Sequence, residues 1–297
     1  MPASDRRRLL STLIGSALGF AALAYLAVAH AEDFGRAFAA AGAGGITLAC
    51  AIHAPSLLLR LWAFDIAIAA TGAPVPRRTN WAIGAIAVLV SALNIVLGAA
   101  ARLALWARRS ERPPLAAFVL ADGTFLALEG VIAMLLLVAA SSTLPLSPLV
   151  PAAIAALVLC GLLAAWHLGV IDRLGDRFPA LAGLRSVPPR QLARIALLIG
   201  AIFALQIVRL WLCLDLVGIE ASPFEAVLAF VAVGVFSALP LGASAGPAAL
   251  LVVFGSAGIG AAVAAGAVYL ASGLLTMAVA AAIGALALRG EHVAERT

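Results

Sequence analysis

Long apolar segments, several of them close to 20 uncharged residues, dominate this chain of 297 residues. A helix needs about 20 such residues to cross the roughly 30 Å of hydrocarbon in a bilayer. Only 11% of the residues are charged, whereas ordinary globular domains have about 25%. We therefore expect an all-α polytopic membrane protein.

The segments that read as complete spans share an apolar core and polar or basic flanks. Six are expected, at about 9–29, 46–70, 115–140, 149–170, 191–217 and 261–288. An A-x-A-like site at Ala29-His30-Ala31 also suggests a cleaved signal peptide. The first apolar run exceeds the 7–15 residues typical of signal peptides, so an uncleaved span is favoured. Residues 30–45 are expected to form a short outer loop.

The stretch Ser91–Arg112 does not fit an ordinary span. Asn94 and Gly98 interrupt it, Arg102 follows among small residues, and a short loop adds arginines at 108, 109 and 112. If residues 80–106 crossed the membrane, this basic loop would lie outside. A re-entrant hairpin keeps it cytoplasmic, where basic loops are enriched. A second hairpin is expected where the apolar segment from Phe224 breaks at Pro240, Gly242 and Gly246.

An internal repeat relates the two halves of the chain. Arg60-Leu61-Trp62 recurs as Arg209-Leu210-Trp211, and each copy precedes an acid, Asp65 or Asp215, and then a broken apolar segment. The halves, at about 9–140 and 148–288 of a single transmembrane domain (1–297), would each contain three spans and one hairpin. Because each half would cross the membrane an odd number of times, the second half would be inverted relative to the first. Both termini would then be cytoplasmic. Inverted repeats with broken helices are a recurrent transporter plan.

The buried arginines are the main candidates for contact with substrate. Charges at membrane depth are costly and usually face the protein interior. Arg102 would meet a phosphate with its guanidinium fork, or it would snorkel to the cytoplasmic headgroups. Arg60 and Arg209 would line the same cavity, or they would pair with acids on neighbouring helices. Asn94, Gly98, Pro240, Gly242 and Gly246 would shape the breaks.

The acidic residues admit two interpretations. Asp122 and Glu129 are seven residues apart and share one helix face, where they would neutralise the arginines or relay protons. Asp65 and Asp215 are five and six residues from the arginines that precede them, which is not the favoured i,i+4 spacing, so partners from elsewhere are expected. His53 would be a hydrogen-bonded interior histidine or a proton carrier.

Other functional classes lack their sequence signals. The three cysteines, Cys50, Cys160 and Cys213, lie in apolar runs without metal-ligand spacing. There is no HExxH, no Ser/His/Asp set and no nucleotide-binding loop, and no motif for binding RNA or DNA. We expect neither an enzyme nor a bound cofactor or metal, and no nucleic-acid partner.

At its two breaks the chain resembles the transmembrane region of lysylphosphatidylglycerol synthetases, a flippase-like membrane family. Gly98-Ala99-Ala100-Ala101-Arg102 is similar to the family's Gly-acid-x-x-Arg signature, with Ala99 in place of the acid. Pro240, Gly242 and Gly246 are similar to its Pro-x-x-x-Gly-x-Gly run, without the glutamate that commonly follows. The resemblance covers nearly the whole chain. It implies lipid translocation, or a membrane partner of enzymes that modify lipids or glycans.

Together these features predict a transporter in a bacterial inner membrane. It would move an anionic lipid, either a phospholipid or a polyprenyl-phosphate-linked species, between leaflets. The alternative is a non-transporting partner of a lipid- or glycan-modifying enzyme, for example in hopanoid or glycosyl-lipid synthesis. The two missing family acids favour this alternative.

Overall fold

The computed structural model of the protein describes residues 3–72, 76–92, 95–108, 115–141, 173, 176–179, 183, 187–237 and 244–294. Every regular element in these ranges is a helix, which confirms the predicted all-helical class. The α-helices are α1 (Ala3–Ala29), α2 (Ala31–Ala70), α3 (Arg77–Ser91), α4 (Ile95–Ala107), α5 (Leu115–Ser141), α6 (Pro189–Leu216), α7 (Pro223–Ser237), α8 (Ala245–Phe254) and α9 (Ile259–Ala294). The predicted span at 149–170 and the break residues Asn94, Pro240 and Gly242 lie outside the described residues.

Three helices in the described ranges are long and apolar enough to cross a membrane. They are α2, α6 and the part of α9 from Ile259 to Arg289, with 40, 28 and 31 residues. At 1.5 Å per residue, even 28 residues extend about 42 Å, which exceeds the hydrocarbon thickness. By length and composition, the chain is therefore a membrane protein.

The predicted outer loop at 30–45 is instead mostly helical. The helix α2 starts at Ala31 and contains a single non-helical residue, Gly42, with φ 54° and ψ 177°. Alanine has the highest helix propensity, and alanines are frequent between Ala31 and Ala43. Glycine reaches a positive φ without a steric penalty. The expected loop is therefore reduced to a kink at Gly42.

Two pairs of neighbouring helices are too short to cross a bilayer individually. The helices α3 and α4 have 15 and 13 residues, and α7 and α8 have 15 and 10. Fifteen helical residues extend only about 22 Å. The sequence predicted a broken helix in both places.

The chain folds back between α3 and α4. A Cβ atom added at Gly98 would lie 2.7 Å from the Cα atom of Ser91. In one continuous helix, residues seven positions apart would be separated by about 10 Å along the axis. Gly98 therefore permits a close approach between the start of α4 and the end of α3.

The helix α8 of the second pair packs closely on α9. The helix α8 contacts both α7 and α9. A Cβ atom added at Gly266 would lie 2.7 Å from Cβ of Pro247, and one added at Gly246 would lie 3.4 Å from the Tyr269 ring. Small residues let helix backbones approach closely in membrane proteins. The sequence element around Gly246 is thus fixed against α9.

A capping box begins α7. The backbone N–H of Ser222 donates to Glu225 Oε2 at 2.8 Å, and the backbone N–H of Glu225 donates to Ser222 Oγ at 3.2 Å. These reciprocal bonds satisfy two donors at the helix start. Two hydrogen bonds from Ser222 lower the pKa of Glu225 below its ordinary value, the bond from the backbone N–H more strongly than the bond from the hydroxyl.

Three segments meet around a cavity of about 430 Å³. Its lining comes from residues 33–40 of α2, from Val217 and Gly218 after α6, and from residues 257–261 at the start of α9. These three segments therefore lie close together within the first unit.

The chain forms two compact units. One contains Met1–Leu58, Arg78–Arg109 and Phe203–Thr297, and the other contains Leu59–Arg77 and Ser110–Ile202. In the first unit, Phe203 of α6 packs on Phe230 of α7, with ring centroids 5.3 Å apart. In the second, Phe64 of α2 meets Phe118 of α5 edge-on at 5.1 Å.

Candidate functional site

A buried arginine organises a polar network inside the first unit. Arg209, on α6, is only 2% exposed. Its guanidinium donates to Gln206 Oε1 at 3.0 Å, to His53 Nδ1 at 3.1 Å, to Ser272 Oγ at 3.0 and 3.3 Å, and to the carbonyl oxygen of Tyr269. A guanidinium carries five N–H bonds. Each of them has an acceptor here.

The arginine fixes the orientation of the groups around it. Gln206 Oε1 accepts from Arg209, so the amide nitrogen of Gln206 points the other way. That nitrogen lies 2.8 Å from His53 Nδ1 and donates to Ser56 Oγ at 2.7 Å. The Ser56 hydroxyl donates in turn to the carbonyl oxygen of His53 at 2.7 Å. His53 Nδ1 therefore accepts, because guanidinium and amide nitrogens only donate.

The helix α9 supplies the other side of the network. Ser272 Oγ accepts two bonds from Arg209, and the Tyr269 ring lies 4.2 Å from the guanidinium carbon. A cation over an aromatic face is stabilised by the ring quadrupole. A Cβ atom added at Gly273 would lie 2.9 Å from Arg209 Nη2. The absence of a side chain at Gly273 leaves room for the guanidinium.

Arg209 forms no ion pair with an acid in the described part of the chain. The two ion pairs there are Arg36–Asp33 at 3.3 Å and Arg77–Asp65 at 3.1 Å. Asp215, on the same helix as Arg209, is exposed. The charge is compensated by neutral oxygen and nitrogen acceptors and by an aromatic ring. Burying a charge requires such hydrogen bonding.

A second buried arginine lies on α4. Within the described part of α4, the buried side-chain positions are Gly98, Arg102 and Trp106. Successive members are four residues apart, so they lie along one face of the helix. Arg102 is 5% exposed. It therefore faces the protein interior and does not snorkel into solvent.

The remaining candidates lie in the second unit or at the surface. Arg60 is half-buried, with its guanidinium carbon 4.8 Å from the centre of the Phe125 ring. Asp65 finds its partner beyond its own helix, at Arg77. Asp122 is half-buried and forms no ion pair with another described residue. The structure gives no side-chain placement for Glu129, so its role as a counter-ion or proton relay stays a prediction.

The sequence predicted that the arginines are buried, but it did not predict most of the residues that contact them. Ser56, Ser272 and Tyr269 complete the Arg209 network, and Trp106 continues the face that carries Arg102. The four-residue spacing of Gly98, Arg102 and Trp106 is a signal that the sequence contains. The Arg209 network offers no such signal, since its members come from three distant helices.

The described side chains hold no group of three histidine, cysteine or acidic residues that could bind a metal. Each N–H of the Arg209 guanidinium has a neutral acceptor, and Arg102 is a second buried guanidinium in the same unit. The chain matches no protein-family model and none of the curated proteins.

Proposed function

We propose that the protein moves an anionic lipid, a phospholipid or a polyprenyl-phosphate-linked species, between the leaflets of a bacterial inner membrane. The observation that carries the proposal is Arg102, a buried cation on the inward face of a helix too short to span. Irregular backbone at membrane depth is tolerated only within protein or beside a cavity. A guanidinium in that position suits a phosphate headgroup.

The proposed topology has six spans and two re-entrant hairpins, with both termini cytoplasmic. The pairs α3–α4 and α7–α8 would be the hairpins of two inverted halves. Short paired helices and the close approach of Gly98 to Ser91 support this arrangement. In it, the headgroup contacts Arg102 while the acyl chains stay in lipid.

Arg209 has a structural role in this proposal. All five N–H bonds of Arg209 are engaged, so binding of a headgroup there would require the exchange of one of those acceptors. The Arg209 side chain instead holds α2, α6 and α9 together.

Lipid movement in proteoliposomes tests the proposal. Phosphatidylglycerol labelled on an acyl chain with a nitrobenzoxadiazole dye would be bleached from outside with dithionite. We expect Arg102→Ala to slow translocation at least tenfold, since a lost charge-assisted hydrogen bond contributes about 1.5–3 kcal/mol. Arg108→Ala is the matched control, because Arg108 is exposed immediately after α4. Unchanged movement by folded Arg102→Ala protein would reject the proposal.

The alternative function is that of a non-transporting partner of a lipid- or glycan-modifying enzyme. It is favoured by Ala99, which stands where the resembled family carries an acid in its first motif. It is also favoured by Ala248 and Ala249, which follow the second motif where the family commonly carries a glutamate. Co-purification of such an enzyme, together with no lipid movement by the isolated protein, would support this alternative.

A further inference from the structure

Trp106 shares the inward face of α4 with Arg102, and its indole N–H is the starting point. The indole nitrogen is fully buried, and it has no hydrogen-bond partner among the residues that the structure describes. The whole residue is 2% exposed. Buried polar groups in proteins are nearly always hydrogen-bonded. The indole nitrogen therefore needs a hydrogen-bond acceptor that the described residues do not provide.

Two other tryptophans, Trp62 and Trp211, are placed differently from Trp106. Trp62 and Trp211 are exposed, and Trp211 Nε1 donates to the carbonyl oxygen of Ala221 at 2.8 Å. Exposed tryptophans of this kind fit the aromatic belts of membrane proteins, where the ring lies at headgroup level. Trp106 turns its ring into the protein near the end of α4. Its position is not explained by anchoring to the membrane surface.

The chemistry of the two side chains restricts the ligand. Indole and guanidinium groups donate hydrogen bonds and cannot accept them. One helical turn separates Arg102 from Trp106, so both sets of donors lie on one face. A ligand for both must present several acceptor oxygens, and negative charge would match the arginine. A phosphate group has these properties, and a guanidinium binds it through two parallel bonds.

We propose that Arg102 and Trp106 form one site for a phosphate-type oxyanion, with the indole N–H of Trp106 as a direct ligand. The inference rests on the proposed lipid transport and deepens it, because it adds a second residue that binds the headgroup directly. The oxyanion comes either from a lipid headgroup or from free phosphate.

Equilibrium binding to the full-length protein in a neutral detergent tests the site. The probes are dihexanoyl phosphatidylglycerol, dihexanoylglycerol without a phosphate, and inorganic phosphate. Trp106→Phe keeps an aromatic ring and removes the N–H, and Trp211→Phe is the matched control. We expect Trp106→Phe to weaken binding of the phosphatidylglycerol about tenfold, with Trp211→Phe unchanged and dihexanoylglycerol not bound. Equal binding by wild type and Trp106→Phe would overturn the proposal.

The inorganic phosphate arm identifies the source of the oxyanion. Binding of phosphate as tight as that of the lipid assigns the site to the free anion, and much weaker binding assigns it to the headgroup. Should Trp106→Phe fail to fold, the indole proton resonance of Trp106 in the wild-type protein gives a second measurement. It should shift downfield when phosphatidylglycerol is added, and an unmoved resonance would overturn the proposal.

The binding and transport experiments together distinguish a wrong Trp106 site from a wrong transport proposal. If binding is independent of the indole N–H while lipid movement still requires Arg102, only the Trp106 site is wrong. If binding requires the N–H but no lipid moves in proteoliposomes, the site stands and the transport proposal is wrong.

Discussion

Arg209 Nη1 on α6 lies 3.1 Å from Nδ1 of His53 on α2. Because the guanidinium is an obligate donor, this contact requires an unprotonated Nδ1. The amide nitrogen of Gln206, 2.8 Å from the same atom, requires this as well. His53 is therefore a neutral imidazole with its proton on Nε2, and it serves as an interior acceptor in this conformation.

The tautomer of His53 is directly measurable. In protein labelled with ¹⁵N-histidine, near pH 7, we expect a protonated Nε2 and an unprotonated Nδ1 at the resonance that His53→Asn removes. The reason is that two donors point at Nδ1. A protonated Nδ1, or an imidazolium, would show that the network is arranged differently.

Removal of the Arg209 guanidinium should destabilise the fold. Arg209→Met leaves the buried acceptors on Gln206, Ser272 and Tyr269 without their donor. Each buried group left unsatisfied costs about 1–3 kcal/mol. We expect the free energy of unfolding in mixed micelles to fall by about 2–4 kcal/mol. Arg36→Met removes an exposed ion pair and should change it by less than about 1 kcal/mol; equal effects of the two variants would contradict a stabilising network.

Two glycine-to-alanine changes should have opposite signs. A Cβ atom at Gly266 would lie 2.7 Å from Cβ and 2.5 Å from Cα of Pro247, so α8 must move. Overpacking of this kind costs about 1–3 kcal/mol. Gly200, within α6, has open space around it, and alanine there should stabilise the helix by about 0.5–1 kcal/mol. Thermal unfolding of both variants checks the packing of α8 on α9, and a neutral Gly266→Ala would count against it.

The capping box at α7 should add a pH dependence to stability. The pKa of Glu225 is lowered in the folded protein, so the carboxylate stabilises the fold above its unfolded pKa of about 4.5. The stabilisation is lost as the pH falls from there through the folded pKa. In Glu225→Gln, the melting temperature should therefore fall less steeply with pH below about 4.5. Identical slopes for Glu225→Gln and the wild-type protein would contradict the effect.

The helix positions were predictable because they depend on local signals. Apolar runs of membrane length gave α2, α6 and α9. Gly98 and Gly246, which were expected at the breaks, instead lie inside the short helices α4 and α8. The loop predicted at 30–45 failed because alanine propensity outweighed the glycines at all positions but Gly42. Local propensity and pattern therefore account for most element boundaries.

The partners of the buried charges were harder to predict. For Arg60 and Arg209 the sequence left open a place in the cavity or a pairing with acids on neighbouring helices. The structure gives Arg60 the ring of Phe125 and gives Arg209 neutral acceptors. Such pairings depend on how distant helices pack, and neutral serines and carbonyls carry no charge signal in a sequence. Trp106 is different, because its spacing from Arg102 lies within a single helix.

The most direct test of the account is whether α3–α4 enters and leaves the membrane on the same side. Pro76→Cys and Ser110→Cys, placed singly in protein whose Cys50, Cys160 and Cys213 are replaced by serine, flank the pair and leave every arginine in place. Cells would be treated with a membrane-impermeant thiol reagent before and after permeabilisation. Re-entry predicts that both cysteines react only after permeabilisation. Reaction of Ser110→Cys in intact cells, with Pro76→Cys still protected, would make α3–α4 a crossing segment and contradict the inverted arrangement.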